Sequence, residues 1–475
     1  MLDGYIKNAL TIQGFESLYF ALISFLTVIV IGNYLSPELF GVYTALLVFV
    51  NIVSELADLG FKQIIIREQS SDKKIGKFLV FLAITSLFLV CIFELLLIYI
   101  SSNSFFFSEY KILKNIDFRY AQIFVILIFP LTVNNFYTAV FRKKLEFRFV
   151  SIVRSISVSI VFALTIIITL IYRNYWGLLL GLLAGELFKI AIYTTKWNFS
   201  LRDSNADLLD DIKRGFGIYL AHIFGFLGRN IDYVIISAVL SVKQVGIYAL
   251  AYKLMQAPIK QIGGVVNKVM FPVYGQMRKR QDVANTFTYT INIIFLYSAI
   301  IFSILSSASQ LLSNIFLSEQ WSSVGPVLGM VSLAGVFLLV HNACEPLLKN
   351  LASQRWLVIR QCAYFLMIAI FVYLGSLVDL MWAVTGVVVS LFLTSILSLT
   401  MAISTLKVKH KRVFLTILKL SIPAIIVFGL NTIILFQLAE LSDIYRLGII
   451  LMVDLALFYI LIIRMQTFKQ SLTSI

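Results

Sequence analysis

Long apolar stretches dominate this sequence and limit what it can fold into. A helix of about 20 mostly apolar residues spans the hydrocarbon core of a bilayer, and fourteen such stretches follow one another along the 475 residues. Only 13% of the residues are charged, against about a quarter in soluble proteins, which excludes a water-soluble globular, a disordered and a fibrous chain. Transmembrane β-strands would show alternating segments of about ten residues, and these stretches do not alternate. The prediction is an all-α polytopic membrane protein.

The predicted spans differ in strength along the chain. They lie at about residues 11–33, 40–61, 78–101, 120–141, 149–172, 175–195, 215–239, 245–270, 285–312, 323–345, 361–378, 381–405, 414–437 and 447–463. The last two have a weaker pattern than the first two. Twelve spans, with a misread final pair, is therefore the main alternative to fourteen.

The distribution of Lys and Arg gives an orientation. If residue 1 is cytoplasmic, 26 of the 39 basic residues fall in inside segments, 6 in outside segments and 7 within spans. Cytoplasmic loops of membrane proteins carry this excess. We therefore predict a multi-pass membrane protein with both termini in the cytoplasm, and an even number of spans keeps both termini on one side.

A short motif occurs twice, at residues 35–43 and 240–248, as L-S-x4-G-x-Y. The offset is 205 residues, and both copies lie in a predicted outer turn that opens an inward-running helix. Ordinary turn chemistry could produce such a motif, but the matching topology favours two parallel repeats. The predicted organisation is a six-helix bundle at 1–195, a cytoplasmic linker at 196–214, a pseudo-symmetric six-helix bundle at 215–405, and an additional helix pair at 406–475.

These residues resemble a known family. The run Y-L-S-P-E-L-F-G-V-Y at 34–43 and A-D-L-G at 57–60 are similar to the amino-terminal signature of bacterial polysaccharide flippases. In the second half, N-I-D at 230–232, G-I-Y-A-L-A-Y-K-L at 246–254, Pro258 and V-V-N-K-V-M-F-P-V-Y at 265–274 resemble Wzx-type exporters of colanic and teichuronic acid, in the multidrug/oligosaccharidyl-lipid/polysaccharide (MOP) superfamily. The resemblance implies a V-shaped cavity between two bundles. It also implies transfer of undecaprenyl-diphosphate-linked oligosaccharide from the cytoplasmic to the outer leaflet.

Three basic residues are predicted to lie too deep to reach the interface. Arg229, Lys253 and Lys260 are 14, 17 and 10 residues from the cytoplasmic ends of their predicted helices, which is near mid-bilayer at 1.5 Å per residue. Lys253 and Lys260 share a helix face, and His222, Arg229 and Asp232 share another. Intramembrane charges of this kind mark ligand paths, and Arg and Lys suit a diphosphate. The predicted substrate-binding residues are Arg229, Lys253, Lys260, His222 and Asp232. The alternative is an internal ion pair of Asp232 with Arg229 or Lys253.

Acidic residues within the predicted spans are the second candidate group. Glu16, Glu55 and Asp58 lie near cytoplasmic helix ends, where they either close a gate with Lys62 or Arg67 or face water. Glu94 and Glu186 are deeper, and a buried carboxylate there could titrate near neutral pH or hold Na⁺. The superfamily resemblance allows coupling to H⁺ or Na⁺. Neither a cofactor nor a metal site is predicted, because the three cysteines show no metal-ligand spacing.

Two other functions compete with the flippase. A MATE-like, cation-coupled exporter of small molecules shares the superfamily, but fixed cations at mid-membrane would repel cationic drugs. An integral-membrane polysaccharide polymerase or glycosyltransferase usually needs a sizeable outer loop for its acidic groups, and no predicted outer segment exceeds 18 residues. We therefore expect no enzymatic activity and no nucleic-acid binding. The expected partners are lipid-linked oligosaccharide, membrane lipid and other membrane proteins of polysaccharide assembly.

Overall fold

The computed structural model describes residues 2–62, 65, 72–102, 118–197, 208–407, 426–438 and 440–454. Every regular element in these ranges is helical, which confirms the predicted fold class. Nine of the described helices are long and apolar enough to cross a membrane. Most of the final predicted pair, at 414–437 and 447–463, lies outside the described residues.

The described residues of the first half of the chain form seven helices. In order they are α1 (Leu2–Tyr34), α2 (Pro37–Ala57), α3 (Asp72–Ser102), α4 (Phe118–Ile126), α5 (Ile128–Lys143), α6 (Phe147–Tyr172) and α7 (Trp176–Thr195). The repeated motif explains the start of α2, because the Ser36 side chain caps the helix by accepting a hydrogen bond from the Leu39 amide. Pro37 follows at the first helical position, where its missing N–H costs nothing.

The second half begins with a broken helix. Its helices are α8 (Leu208–Gly228), α9 (Ile231–Val239), α10 (Val242–Gln276), α11 (Arg280–Ser307), α12 (Ser309–Phe316), α13 (Val324–Leu351), α14 (Gln354–Ser376) and α15 (Leu380–Leu406). A helix also covers Ile426–Gln437, and another covers 443–454. The predicted single helix at 215–239 is therefore wrong, since it divides at residues 229–230.

The chain separates into two compact units. The first comprises the described residues within 1–249 and 353–383, and the second those within 250–352 and 384–475. The first unit thus holds α1 to α9, the first turns of α10, and α14. The predicted bundle boundaries at 195, 215 and 405 stay a prediction.

Glycines allow a close contact between α6 and α7 in the first unit. Gly177, Gly181 and Gly185 recur at every fourth position along one side of α7, facing α6. A Cβ atom added to Gly181 would lie 2.8 Å from the Val161 carbonyl oxygen, which is backbone and cannot turn aside. Small residues at this spacing let two membrane helices approach through their backbones.

We expect Gly181→Ala to destabilise the protein because its methyl group needs α6 and α7 to move apart. Overpacking of this kind costs about 1–3 kcal/mol. Thermal unfolding of purified protein in detergent measures the effect. Gly429→Ala is the matched control, because nothing lies within 4 Å of the added methyl there. Equal unfolding temperatures for the two variants would contradict the glycine-based contact.

Candidate functional site

The break between α8 and α9 lies at a close contact with α14. Gly228 ends α8 against Tyr364 of α14, and a Cβ atom at Gly228 would lie 2.5 Å from the Tyr364 ring. Asn230 occupies the N-cap of α9, but its side chain donates to the Phe226 carbonyl instead of capping. The two-residue turn therefore separates Arg229 from the helical spacing that predicted a stripe of His222, Arg229 and Asp232. Arg229 and Asp232 both act electrostatically on Tyr364 of α14, and the stripe that includes His222 stays a prediction.

Arg229 lies in this turn with its side chain exposed. No hydrogen bond or ion pair of its guanidinium occurs within the described residues. Its position just after the C-terminal end of α8 is favourable for a cation, because the last carbonyls of a helix carry partial negative charge. An ionised Arg facing hydrocarbon would cost about 3 kcal/mol or more, so an exposed Arg229 indicates a polar surface.

Asp232 has a different neighbourhood. Its carboxylate is buried and accepts hydrogen bonds from the Tyr248 hydroxyl and from the Tyr233 amide. No ion pair of Asp232 with Arg229 or Lys253 occurs in the described part of the chain. The predicted alternative, in which Asp232 neutralises one of those cations, is therefore wrong. Asp232 joins α9 to the start of α10 and leaves Arg229 without that counter-ion.

Lys253 and Lys260 lie on one face of α10, as predicted. Lys253 is half-buried and Lys260 is exposed, and each is within electrostatic reach of the other. Neither forms a hydrogen bond or an ion pair within the described residues. Ala257 and Gly264 fall on the same face by helical geometry, and a Cβ atom at Gly264 would meet nothing within 4 Å. This face of α10 therefore carries two positive charges and, at Ala257 and Gly264, only small residues, with open space beside Gly264.

His222 belongs to a separate polar cluster at the end of α2. Its Nε2 atom lies against the Glu55 carboxylate, which also pairs with Lys62 at 2.5 Å. The Tyr219 hydroxyl donates to the Leu56 carbonyl beside them. The pairing of Glu55 with Lys62 agrees with the predicted contact, whereas the link to His222 in α8 was not predicted. His222 is thus held by a carboxylate, while its role with substrate stays a prediction.

Asp58 lies just beyond the end of the α2 span. Its carboxyl is buried, and burial raises its pKa to about 6, although the nearby Lys62 opposes that shift. A carboxyl with this pKa changes its protonation within the physiological range. Asp58 is therefore the predicted gate residue whose chemistry suits proton exchange best.

The remaining predicted acids divide into paired and unpaired groups. The Glu16 carboxylate accepts from Arg154 at 2.8 Å and from Ser151 at 2.5 Å, which joins α1 to α6. The Glu186 carboxylate pairs with Lys189 at 2.7 Å and accepts from Asn134 at 2.8 Å. Glu94 is half-buried in α3, and its Oε1 atom has no hydrogen-bond partner among the described residues. Glu16 and Glu186 are thus held in ion pairs, whereas the Glu94 side chain forms a hydrogen bond with Gln122.

One buried cation was missed by the sequence analysis. Arg360 was counted in the cytoplasmic segment 346–360, but it lies inside α14 and is 1% exposed. It acts electrostatically on Tyr364, as do Arg229 and Asp232. A hydropathy-based span starts after the last charged residue, which here is Arg360, so the predicted span began at residue 361. It could not show that α14 begins at Gln354. Among the described residues, no group of three or more His, Cys, Asp or Glu side chains could hold a metal ion.

Comparison with known proteins assigns the family. The profile of a family described as "Polysaccharide biosynthesis protein" matches residues 30–324, which is more than half of the chain. The chain belongs to this family. Its match includes both copies of the repeated motif and all five predicted substrate-binding residues.

Two curated relatives cover most of this polysaccharide biosynthesis protein. The "Uncharacterized membrane protein in cps region" of Klebsiella pneumoniae is 24% identical over 354 residues, 71% of this chain and 70% of that protein. The "Succinoglycan biosynthesis transport protein ExoT" of Rhizobium meliloti is 24% identical over 375 residues, 76% of this chain and 73% of that protein.

Solved structures share the fold. The lipid II flippase MurJ in an inward closed conformation has a TM-score of 0.73 at 13% identity and covers 95% of this chain and 100% of its own. An inward-facing MATE transporter of the MOP superfamily has a TM-score of 0.64 at 16% identity and covers 82% of this chain and 95% of its own. The MOP fold predicted from the resemblance is confirmed.

We expect Glu55→Gln to destabilise the protein because it removes the charge that holds Lys62 and His222. A hydrogen bond to a charged group contributes about 1.5–3 kcal/mol. Glu146→Gln is the control, because its pair with Lys196 is exposed and such pairs contribute about 0–1 kcal/mol. Thermal unfolding in detergent compares the two variants. Equal losses would show that the cluster at the end of α2 contributes no more than a surface pair.

Proposed function

We propose that this protein is a flippase for lipid-linked oligosaccharide repeat units of an O-antigen, capsule or exopolysaccharide. It transfers undecaprenyl-diphosphate-linked units from the cytoplasmic to the outer leaflet of the plasma membrane by alternating access. Membership of the polysaccharide biosynthesis family, a relative named as a transport protein of succinoglycan biosynthesis, and the fold shared with MurJ support this proposal.

The observation that carries the proposal is the absence of counter-ions at three deep cations. Within the described residues, Arg229, Lys253 and Lys260 have neither ion-pair nor hydrogen-bond partners, whereas Glu16, Glu55 and Glu186 are all paired. A diphosphate entering the membrane loses water from two or more negative charges at a large free-energy cost. Arg offers it a planar fork of donors and Lys offers a mobile point charge. These three cations therefore offset the cost of moving the head group.

The same charges argue against the two competing functions. A MATE-like exporter of cationic drugs would meet repulsion from Lys253 and Lys260 on α10. A polymerase or glycosyltransferase needs acidic catalytic groups in an outer loop, and the predicted outer segments are short. The protein is therefore a transporter and not an enzyme, and its cargo is anionic.

Transport against a gradient needs coupling, and two acids suit it. Asp58 titrates near neutral pH, and Glu94 has an unpartnered oxygen in the described part of the chain. We assign H⁺ or Na⁺ exchange to these groups, with both termini in the cytoplasm. The partners are the lipid-linked cargo, membrane lipid and other membrane proteins of polysaccharide assembly.

Deletion of the gene tests the function itself. We expect loss of surface polysaccharide and accumulation of lipid-linked oligosaccharide in the cytoplasmic leaflet, because synthesis continues without transfer. Extraction of lipid-linked oligosaccharides and staining of the cell surface measure both. Unaltered polysaccharide together with increased sensitivity to cationic drugs would favour the MATE-like exporter instead.

Replacing the deep cations one by one tests the role of each of them. We expect Arg229→Ala and Lys260→Ala each to reduce surface polysaccharide strongly, and Lys253→Ala combined with Lys260→Ala to abolish it, while the protein remains in the membrane. Each lost charge-assisted contact weakens binding by about 1.5–3 kcal/mol, or roughly 10- to 100-fold.

The controls are the exposed residues Arg148 and Lys279, each replaced by Ala. They remove the same charges outside the deep positions and should leave polysaccharide unchanged. Arg229→Lys keeps the charge but not the planar fork, so we expect intermediate activity. Normal polysaccharide in every deep variant would refute the role of these cations without refuting the flippase function.

A further inference from the structure

Equivalent residues of the two repeats meet at one point of the first unit. The motif offset of 205 residues pairs Pro37 with Val242, Glu38 with Lys243 and Gly41 with Gly246. These positions form the first turns of α2 and α10. We call the contact between the two turns the outer crossing, because the distribution of Lys and Arg predicts that it faces outward.

The glycines make reciprocal contacts across the outer crossing. A Cβ atom on Gly41 would lie 2.0 Å from the carbonyl oxygen of Val242. A Cβ atom on Gly246 would lie 1.9 Å from the carbonyl oxygen of Pro37. Gly41 thus packs on the backbone of Val242, and Gly246 packs on the backbone of Pro37. Because Pro37 and Val242 are equivalent in the repeat, the two contacts are equivalent as well. Any larger residue at either position forces the two helices apart.

A charged pair obeys the same symmetry. The Lys243 ammonium lies 3.9 Å from the Glu38 carboxylate, and both side chains are about half exposed. In a two-fold contact, residues near the axis meet their own equivalents. Glu38 and Lys243 are equivalent in the repeat but carry opposite charges, so they attract each other. Two identical charged residues at these positions would repel.

The tyrosines of the motif act differently from the glycines. Tyr43 packs edge-on against Phe124 of α4, with ring centroids 5.6 Å apart. The Tyr248 hydroxyl donates to Asp232 of α9. Each tyrosine therefore fixes its helix to a neighbour in its own repeat, while close backbone contact and an exposed ion pair join the two repeats. Contacts of these two kinds are individually weak, and breaking them leaves each helix anchored.

We propose that the outer crossing is a gate that closes when equivalent positions of α2 and α10 meet and opens when these helices separate. This inference rests on the proposed function, because a flippase must release its cargo outward. Ala249 is buried and lies seven residues after Val242, on the same face of α10 by helical spacing, so we expect it to become accessible when the gate opens.

Cysteine labelling tests the gate without any transport assay. Ala249→Cys is introduced after Cys91, Cys344 and Cys362 are replaced by Ser, and intact cells are treated with a membrane-impermeant maleimide. We expect Glu38→Lys and Lys243→Glu each to speed labelling about two- to fivefold, the factor that corresponds to a surface ion pair. The double variant restores the attraction, so its labelling rate should return to the parental value.

Variants of the glycines form the second part of the labelling experiment. We expect Gly41→Val to hold the gate open and to raise the labelling rate above that of either charge variant. Gly448→Val is the matched control, because a Cβ atom there meets nothing within 4 Å. Unchanged labelling in all single variants, or a double charge variant that labels as fast as the singles, would overturn the gate. If these variants lose surface polysaccharide but label at the parental rate, the defect lies in another step of transport and not in the gate.

Discussion

A charge inside a bilayer either meets a partner or faces water, and this constraint sorts the ionisable groups of the protein. An unpaired ion in hydrocarbon is too costly to keep without a function. Glu16, Glu55 and Glu186 satisfy the constraint by pairing with cations from the same or neighbouring helices. Arg229 and Lys260 are exposed and have no such partner within the described residues. They must therefore face a polar surface, which an anionic cargo can share.

Hydropathy and charge bias were sufficient to predict the helical class and most helix positions. The helices α6, α7 and α15 begin and end within a few residues of the predicted spans, because burial in lipid depends on composition alone. The break at Arg229 interrupts an apolar run that hydropathy reads as one span, and it lies where Gly228 packs against Tyr364, 136 residues further along the chain. Arg360 was missed for a related reason, because only tertiary contacts keep a charge inside a helix that hydropathy would end.

Side-chain partners were the least predictable part of the site. Helical spacing placed His222 on a face with Arg229, but Glu55 holds it from a helix 167 residues away in sequence. Spacing was reliable where the helix was unbroken, as for Lys253 and Lys260 on α10. Periodicity therefore predicted the shared face within one helix, whereas the contact of His222 with Glu55 depends on tertiary packing.

The repeat is symmetric in backbone and asymmetric in charge. The 205-residue offset pairs Lys253 with Val48 and Lys260 with Glu55, so the two deep lysines of α10 have no basic counterpart in α2. Glu55, the acidic counterpart of Lys260, is bound to Lys62 and His222. The two repeats therefore have equivalent residues at the outer crossing, where two backbones pack closely, and different residues at Lys253 and Lys260. A symmetric contact can close by matching two equivalent turns, whereas an anion needs positive charge from only one repeat. If the proposed gate and the proposed cargo are both right, one helix pair combines a reversible closure with a fixed preference for negative charge.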